Sequence, residues 1–455
     1  MFSKFLKTII KRKRAENVLI IVWLGVILPI CGIITTSFGQ RRFGYYLTVI
    51  IALLVAYVIV KATFFAINSL KNYLREKNKK RQPKYLTYQL ITSILIFVIV
   101  IFVFTGHPSM KEPRPPIFPY NLPTILSDPI IVAERAPEQR ALDWYETLDW
   151  LRENTPDPGV DYYGFYEAPE FNEKRGRVDS YEYPESAYGV MSTWDVGHLI
   201  TYQAKRIPNS NPFQQGLGRR EEYNLIPGEV TFFTETDEKK ALEMLKKLGT
   251  KYVITDSGMV SAAYESMLLW ASGDLENYII EEEGMSFLTK DYDDSMLVRL
   301  HSFDGRPWQF RDDPDTYVKH LDNFRLVYES ETPVDISAFP EEIMDENSGV
   351  RLVKIFEVVE GAKLRGSVKK DSVVKISTKI VTNQGREFVY EKTADVVRDG
   401  KFEFVLPYST QGKEGWVENG TKFEVFAQDY TLNIDGIEKK ISVSEEDVLL
   451  GLEVE

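Results

Sequence analysis

Three apolar runs in the first quarter of this 455-residue chain constrain its fold more than any other feature. Residues 18–38, 46–67 and 86–104 each supply about the twenty apolar residues that a helix needs to cross a bilayer. The first run is too long, and too soon followed by the others, for a cleaved signal peptide. The sequence therefore predicts three transmembrane α-helices in a domain spanning residues 1–107, followed by a water-soluble part.

The short connections between these runs predict the orientation in the membrane. Six Lys and Arg residues precede the first run, two lie in the next connection and seven lie between the second and third runs. Cytoplasmic connections carry the excess of positive charge. We therefore expect a multi-pass protein of the cell membrane with a cytoplasmic amino terminus, and with everything after His107 outside the cell.

Charge and cysteine content exclude several classes of function. Residues 1–107 hold 16 basic and 2 acidic side chains, and the remainder holds 39 basic and 65 acidic ones. An acidic exterior argues against a nucleic-acid partner, since phosphates need a positive surface. The single cysteine, Cys31, lies in the first run, so a disulfide framework and a thiolate zinc site are both excluded.

Two soluble domains are predicted outside the membrane. Residues 108–137 hold eight prolines and read as an extended linker. The helical pattern of residues 138–154 and 237–248, alternating with a strand at 251–255, then predicts a mixed α/β domain. We assign residues 108–345 to the linker and this extracellular mixed α/β domain.

The last hundred or so residues change to a period of two, which predicts a β-sandwich-like domain over residues 346–455. The predicted strands, separated by Gly-containing turns, are 374–382, 401–406 and 422–427.

Candidate chemistry begins with the motif Thr193-Trp194-Asp195-Val196-Gly197-His198, which precedes an amphipathic helical pattern at residues 199–207. One interpretation is structural: Asp195 caps that helix and Trp194 is a core aromatic. The motif alone favours this interpretation.

A wider stretch around the motif changes that balance. Residues 188–216 resemble the WWDYG region of the oligosaccharyltransferase catalytic subunit family, particularly its archaeal members. Further segments that look like those members are 143–159, 206–214, 353–362 and, at the outer end of a predicted span, 40–46. The resemblance covers nearly the whole chain and corresponds to the carboxyl-terminal portion of such a subunit.

The resemblance implies a site for an acceptor sequon, Asn-x-Ser/Thr. In that family the WWDYG segment holds the Ser or Thr hydroxyl, so Asp195 would accept its proton, Trp194 would donate and Gly197 would belong to the same site. This chain departs from the pattern, with Thr193 for the first Trp and Val196 for the Tyr, and so lacks one indole donor.

A second element follows the predicted strand at 251–255. Asp256 and Met259 resemble the start of the family's D-x-x-M motif, but Ala263 stands where a Lys or Ile is expected. The structural alternative is that Asp256 caps the next helix. From the sequence the two interpretations are equally supported.

A third element concerns the lipid-linked donor. Arg42 resembles the family Arg that contacts the diphosphate of the lipid-linked oligosaccharide, a task that suits a planar, permanently charged guanidinium. The structural alternative is an Arg that snorkels to the membrane interface.

The resemblance implies transfer of an oligosaccharide from a dolichyl phosphate or diphosphate to the Asn of the sequon. The family's catalytic carboxylates hold a divalent cation, Mn²⁺ or Mg²⁺, and belong to earlier external loops. We therefore predict no catalytic or metal-ligating residue in this chain, and no transfer without a separate amino-terminal membrane half. The string Ser442-Val443-Ser444-Glu445 spells a similar Glu motif, but its position in the β-rich part makes it a coincidence.

Three functional interpretations remain open. The favoured one is the acceptor-recognition part of an oligosaccharyltransferase, with the membrane, a sequon-bearing polypeptide and a lipid-linked oligosaccharide as partners. A second is a non-catalytic paralogue or accessory subunit, which the residues at 193, 196 and 263 would suit. A third is a membrane-anchored structural surface protein.

Overall fold

The computed structural model describes residues 139–454 and eight residues between Tyr57 and Arg75. Gaps within the first range are at 165–170, 173–176, 179–181, 222–223, 262, 272–277, 283–284, 310–315, 335–349, 371 and 395–399. The chain divides into two compact units, Met1–Ala136 and Pro137–Glu455.

The predicted membrane spans and the linker lie outside the described residues, apart from a few positions in the second span. Tyr57, Lys61 and Phe64 are described there and all three are helical. No helix in the described part of the chain is both long enough and apolar enough to cross a bilayer.

The second unit alternates helices and strands in its first half. Its helices are α1 (Gln139–Asn154), α2 (Gly197–Leu199), α3 (Glu229–Phe233), α4 (Glu238–Leu248), α5 (Tyr264–Ala271), α6 (Lys290–Asp294), α7 (Met296–His301) and α8 (Glu445–Leu450). The strands up to residue 358 are β1 (Phe171–Asn172), β2 (Arg177–Val178), β3 (Gly189–Met191), β4 (Ile207–Pro208), β5 (Arg219–Glu221), β6 (Asn224–Ile226), β7 (Thr250–Asp256), β8 (Ile279–Glu282), β9 (Met285–Leu288), β10 (Phe324–Glu329) and β11 (Val353–Val358).

The later strands form the β-rich part. They are β12 (Ala362–Ser367), β13 (Val374–Val381), β14 (Glu387–Thr393), β15 (Lys401–Leu406), β16 (Phe426–Ala427), β17 (Tyr430–Ile434), β18 (Ile437–Ile441) and β19 (Glu453–Val454).

A five-stranded mixed sheet organises the first half, in the order β10-β11-β7-β3-β4. Strands β3, β4 and β7 run parallel, whereas β11 pairs antiparallel with both β7 and β10. The prediction of a mixed α/β domain is confirmed.

Local sequence signals explain the central helix and strand of this sheet. The Asp237 side chain caps α4 by accepting the backbone N–H groups of Lys239 and Lys240, and Gly249 ends the helix in the left-handed conformation. The apolar residues that follow are buried in β7. Both elements lie where the sequence predicts them.

Two sheets form the β-rich part, in the orders β15-β12-β19 and β14-β13-β17-β18, and β16 also pairs with β13. Buried and more exposed residues alternate strictly along β13 and β14. Leu364 and Phe404 of one sheet share a hydrophobic cluster with Ile376 and Tyr390 of the other. The prediction of a β-rich domain is confirmed.

Two details differ from the sequence prediction. Strand β11 lies within the α/β sheet between β10 and β7, although the predicted boundary assigned it to the second domain. Its near-continuous burial suits an inner strand of that sheet rather than an alternating one. The strand predicted at 422–427 is confined to Phe426 and Ala427, because Lys422 and Glu424 instead donate their backbone N–H groups to Asn154 and Val327.

Candidate functional site

The tryptophan–aspartate motif and the Asp256 segment lie at the same edge of the α/β sheet. Strands β3 and β7 are parallel neighbours, with Met191 opposite Val253. The motif begins two residues after β3, and Asp256 is the last residue of β7. Since the carboxyl ends of adjacent parallel strands meet at one edge of a sheet, the fold brings together two segments that are about sixty residues apart in sequence.

The motif forms the start of an irregular helical segment. Trp194–Val196 is a single 3₁₀ turn, α2 follows it, and Ile200–Ala204 is a π-helical turn. Lys205 ends the segment with a φ of 51°. The helix predicted for residues 199–207 therefore ends at Ala204, and Ile207 already begins β4.

Asp195 is exposed at this edge, whereas Trp194 is half-buried. Trp194 packs against the hydrophobic cluster that contains Met259. Thr193 and Val196, which replace the larger family residues, are both buried. The segment thus places an exposed carboxylate next in sequence to a half-buried indole ring.

Asp256 and Met259 contribute differently, because each is only 1% exposed. The Asp256 carboxylate accepts the indole N–H of Trp144 at 2.9 Å and the backbone N–H of Met259 at 3.0 Å. The side chain therefore fastens α1 to the turn after β7. It caps that turn rather than α5, which begins only at Tyr264.

The segment 206–214 packs directly on the motif. A Cβ atom added to Gly197 would lie 2.1 Å from the Ser210 carbonyl oxygen and 2.8 Å from the Asn211 Cα. The rings of His198 and Phe213 pack edge to face, with their centroids 5.1 Å apart. Glycine at position 197 thus allows the two backbones to touch.

Replacing Gly197 by Ala is expected to lower the free energy of unfolding by about 1–3 kcal/mol, the usual cost of overpacking. Backbone atoms face the added methyl group, so no side-chain rotation can relieve the contact. Guanidinium unfolding of the purified chain in detergent measures this. Tyr202→Ala, on the same segment but 71% exposed, is the matched control. Equal stability of the two variants would contradict the close approach.

Helix α1 supports the segment from its other end. Arg152 donates to the Gln203 carbonyl oxygen at 3.0 Å, and Gln203 donates to the Asp149 carboxylate at 2.6 Å. The buried Arg206 guanidinium donates to the carbonyl oxygens of Arg152 and Thr155, both at the end of α1. The regions 143–159, 193–214 and 256–259, which carry the family resemblance, thus form one continuous structure.

Glu229 is a buried member of this region that the sequence does not reveal. It is 0% exposed and opens α3. Its backbone N–H donates to the Gly216 carbonyl oxygen at 3.0 Å. Burial raises the pKa of Glu229 to about 8, against the Ser210 hydroxyl and the Trp194 backbone N–H, which favour the charged form, and the charge of Asp195 raises it further. A Glu that follows Gly at a helix start gives no sequence signal of burial.

Metal and donor-lipid contacts are not assigned to the described residues. In that part of the chain no group of three or more His, Cys, Asp and Glu side chains is arranged to hold a metal ion. Arg42, the predicted contact for the lipid diphosphate, lies outside it.

The sheet, the motif at its carboxyl edge and the β-rich part are the features that two protein-family models match. The family model of the AglB core domain matches residues 141–260, and that of the archaeal glycosylation protein B long peripheral domain matches residues 361–454. With the relatives described below, these matches confirm the predicted family. The matched regions are those of the archaeal oligosaccharyltransferase catalytic subunit family, which the sequence resemblance predicts.

Two curated relatives match most of the chain. The chain is 26% identical to dolichyl-phosphooligosaccharide-protein glycotransferase 3 of Archaeoglobus fulgidus, and the match covers 88% of this chain and 49% of that protein. It is also 26% identical to dolichyl-monophosphooligosaccharide–protein glycotransferase AglB of Haloferax volcanii, over 88% of this chain and 44% of that protein. The chain spans about half the length of these relatives.

Solved structures of an Archaeoglobus fulgidus oligosaccharyltransferase are similar as well. One is tethered by a disulfide bond to an acceptor peptide containing the NVT sequon, with a TM-score of 0.61 and 25% identity over 95% of this chain and 54% of that chain. Another is in complex with an inhibitory peptide and a dolichol-phosphate, with a TM-score of 0.61 and 25% identity over 95% and 53%.

Proposed function

We propose that this chain takes part in protein N-glycosylation and that the surface around Asp195 recognises the acceptor sequon. The observation that carries the proposal is the exposed Asp195 carboxylate, held at the sheet edge where the tryptophan–aspartate and Asp256 segments converge. The similar Archaeoglobus structures, solved with an NVT acceptor peptide and with an inhibitory peptide, support it.

The chemistry of a hydroxyl suits this surface. A Thr or Ser hydroxyl donates one proton, which a carboxylate accepts in a charge-assisted hydrogen bond, and it offers lone pairs to a donor. The 3₁₀ turn sets the backbone position of Asp195. The indole ring of Trp194, next to it in sequence, has limited freedom because it packs on the core. Such preorganisation reduces the entropy lost on binding.

The reaction we assign to the complete system is transfer of an oligosaccharide from a dolichyl-linked donor to the sequon Asn. The names of the relatives support a glycosyltransferase role. We propose that the described domains lie outside the cell and that Arg42 contacts the phosphate of the lipid-linked donor. A divalent cation, Mn²⁺ or Mg²⁺, is a requirement of the transfer step and is proposed to be held by a separate membrane half.

Asp195→Ala is expected to weaken binding of an Asn-x-Thr peptide by about 1–3 kcal/mol, the cost of losing a hydrogen bond to a charged group. Binding to the full chain in nanodiscs is measured by fluorescence anisotropy, with an Asn-x-Ala peptide as the reference ligand. Asp429→Ala, which removes an exposed carboxylate from the β-rich part, is the matched control. Equal affinity of the unmutated chain for both peptides would reject this site and favour a non-catalytic role.

A further inference from the structure

Glu229 is a carboxyl group in an unusual position. It is 0% exposed, and neither of its oxygen atoms has a hydrogen-bond partner among the described residues. A buried polar group without a partner costs stability and calls for a specific explanation. The polar groups that face it are the backbone N–H of Trp194 and the hydroxyl of Ser210, but neither has hydrogen-bond geometry with a carboxyl oxygen, and the hydroxyl donates instead to the Ser192 carbonyl oxygen at 3.1 Å.

The carboxyl group therefore lies behind the turn that presents Asp195. The segments that contain Gly197, Ser210 and Gly218 pack closely together in this region. Gly197 touches Ser210 and Asn211, and Gly228 lies so close to Gly218 that a Cβ atom there would be 2.3 Å from its backbone nitrogen. A side chain in so closely packed a region cannot reorient toward water without moving the turn.

Within the motif, Asp195 is the charged residue that affects this carboxyl group, and its negative charge disfavours ionisation of Glu229. Among the described side chains, the Asp, Glu, His, Lys and Arg residues on the helices and strands packed against α3 have other partners or are exposed to solvent, and Tyr264 on α5 is neutral because burial raises its pKa. Arg220 pairs with Glu235, Arg299 donates to the Thr236 and His320 carbonyl oxygens, and Glu238 accepts from the backbone of Asp322 and Asn323. His301 pairs with Thr255, whereas Arg219, Lys239 and Glu265 are exposed.

We propose that Glu229 is a positioning residue for the turn of Trp194 and Asp195. Its neutral carboxyl group packs behind the turn, and the turn keeps its position only while this group carries a proton. Ionisation would leave a charge buried without a counter-ion, next to the negative Asp195, and the turn would move to admit water. The proposal rests on the function proposed for Asp195 and adds a pH limit to acceptor binding.

Acceptor binding is expected to fall as pH rises through about 8, the pKa that burial gives Glu229. An acetylated and amidated Asn-x-Thr peptide has no ionisable group, so its affinity for the full chain in nanodiscs reports on the protein alone. We expect about a tenfold loss of affinity between pH 7 and pH 9. Glu229→Gln is expected to bind equally at both pH values.

A second readout does not depend on acceptor binding. In protein labelled with 5-fluorotryptophan, the ¹⁹F resonance missing from the Trp194→Phe variant belongs to Trp194. It is expected to titrate with a midpoint near pH 8 in the unmutated chain and to stay constant in Glu229→Gln. Glu229→Met, which is uncharged and of similar length, serves the same purpose if the amide variant does not fold.

The two readouts separate two kinds of failure. A Trp194 resonance that titrates while acceptor affinity stays constant would reject the function proposed for Asp195 and keep the positioning role of Glu229. A resonance that does not titrate, or that titrates equally in Glu229→Gln, would overturn the role of Glu229. Glu238→Gln is the matched control, because burial raises the pKa of Glu238 to about 7 at a position away from the motif.

Discussion

Replacing Arg325 by Met is expected to lower the free energy of unfolding of the second unit by about 3–5 kcal/mol, the usual cost of removing one partner from a buried ion pair. Arg325 is 2% exposed and lies on β10. Its guanidinium donates to Glu357 at 2.6 and 3.1 Å and to both oxygens of Glu445 at 2.6 and 2.7 Å. The variant would remove the guanidinium that both buried carboxylates share and, among the described residues, leave only Lys251, 3.6 Å from Glu357, as a nearby cation.

Guanidinium unfolding of the full chain in detergent, followed by tryptophan fluorescence, measures this loss. Arg365→Met is the matched control, because Arg365 pairs with Glu403 on the exposed surface and its loss should change the unfolding midpoint little. Arg325→Met combined with apolar replacements of Glu357 and Glu445 should recover stability, since no buried charge remains. An Arg325 variant as stable as the Arg365 variant would contradict this account.

A second large effect is expected for Asp304→Asn, also about 3–5 kcal/mol. Asp304 is 1% exposed and accepts from Lys354 on β11 at 2.7 Å and from Arg386, before β14, at 2.6 and 3.0 Å. It thereby joins the α/β sheet to the β-rich part. Asn adopts the positive φ of this position readily, so the effect reports the charge rather than backbone strain.

Acidification should reproduce part of this effect in the unmutated chain. Burial opposes ionisation of Asp304, but the charges of Arg386 and Lys354 outweigh it and hold the pKa of this carboxyl below its usual range. Its contribution is therefore present above the pKa of an unfolded Asp, about 3.9, and is lost as pH falls below that value.

The difference in unfolding free energy between the unmutated chain and Asp304→Asn should consequently shrink as pH falls below about 4. Glu387→Gln removes one carboxylate from the exposed pair with Lys379 and should show no such trend. A difference that stays constant from pH 7 to pH 3 would show that the Asp304 charge does not stabilise the fold.

Several of the longer elements of the second unit were predictable because their signals are local. The helical pattern of residues 138–154 gives α1, and that of residues 237–248 gives α4. The alternation at residues 374–382 gives β13, and that of the Lys401–Leu406 run gives β15. Period and capping residues act within one or two turns of chain, so a single sequence contains them.

The candidate site was only partly predictable. The motif and the Asp256 segment were named from their residues, and the sheet brings both to one edge. Their side chains nevertheless differ in role, because Asp195 is exposed while Asp256 is buried and bonded to Trp144. A carboxylate before a turn looks alike in the two cases, since its exposure depends on what packs over it from distant segments.

The Ser442-to-Glu445 string illustrates the same limit. Ser444 caps α8, accepting the Asp447 backbone N–H, and the Glu445 carboxylate is buried against Arg325. The string therefore belongs to the packing of the β-rich part against β10. Its letters alone do not reveal that Glu445 has a partner 120 residues earlier in the chain.

The sequence by itself determined the α/β and β-rich succession, the positions of several of the longer helices and strands, and the family resemblance, because periodicity, turn residues and motifs are written in consecutive positions. Tertiary structure alone decided that β11 completes the first sheet, that Gly197 touches Ser210, and that Glu229 lies behind the Trp194 turn. These facts depend on contacts between segments far apart in the chain, and burial, charge pairing and pKa arise only when such segments meet.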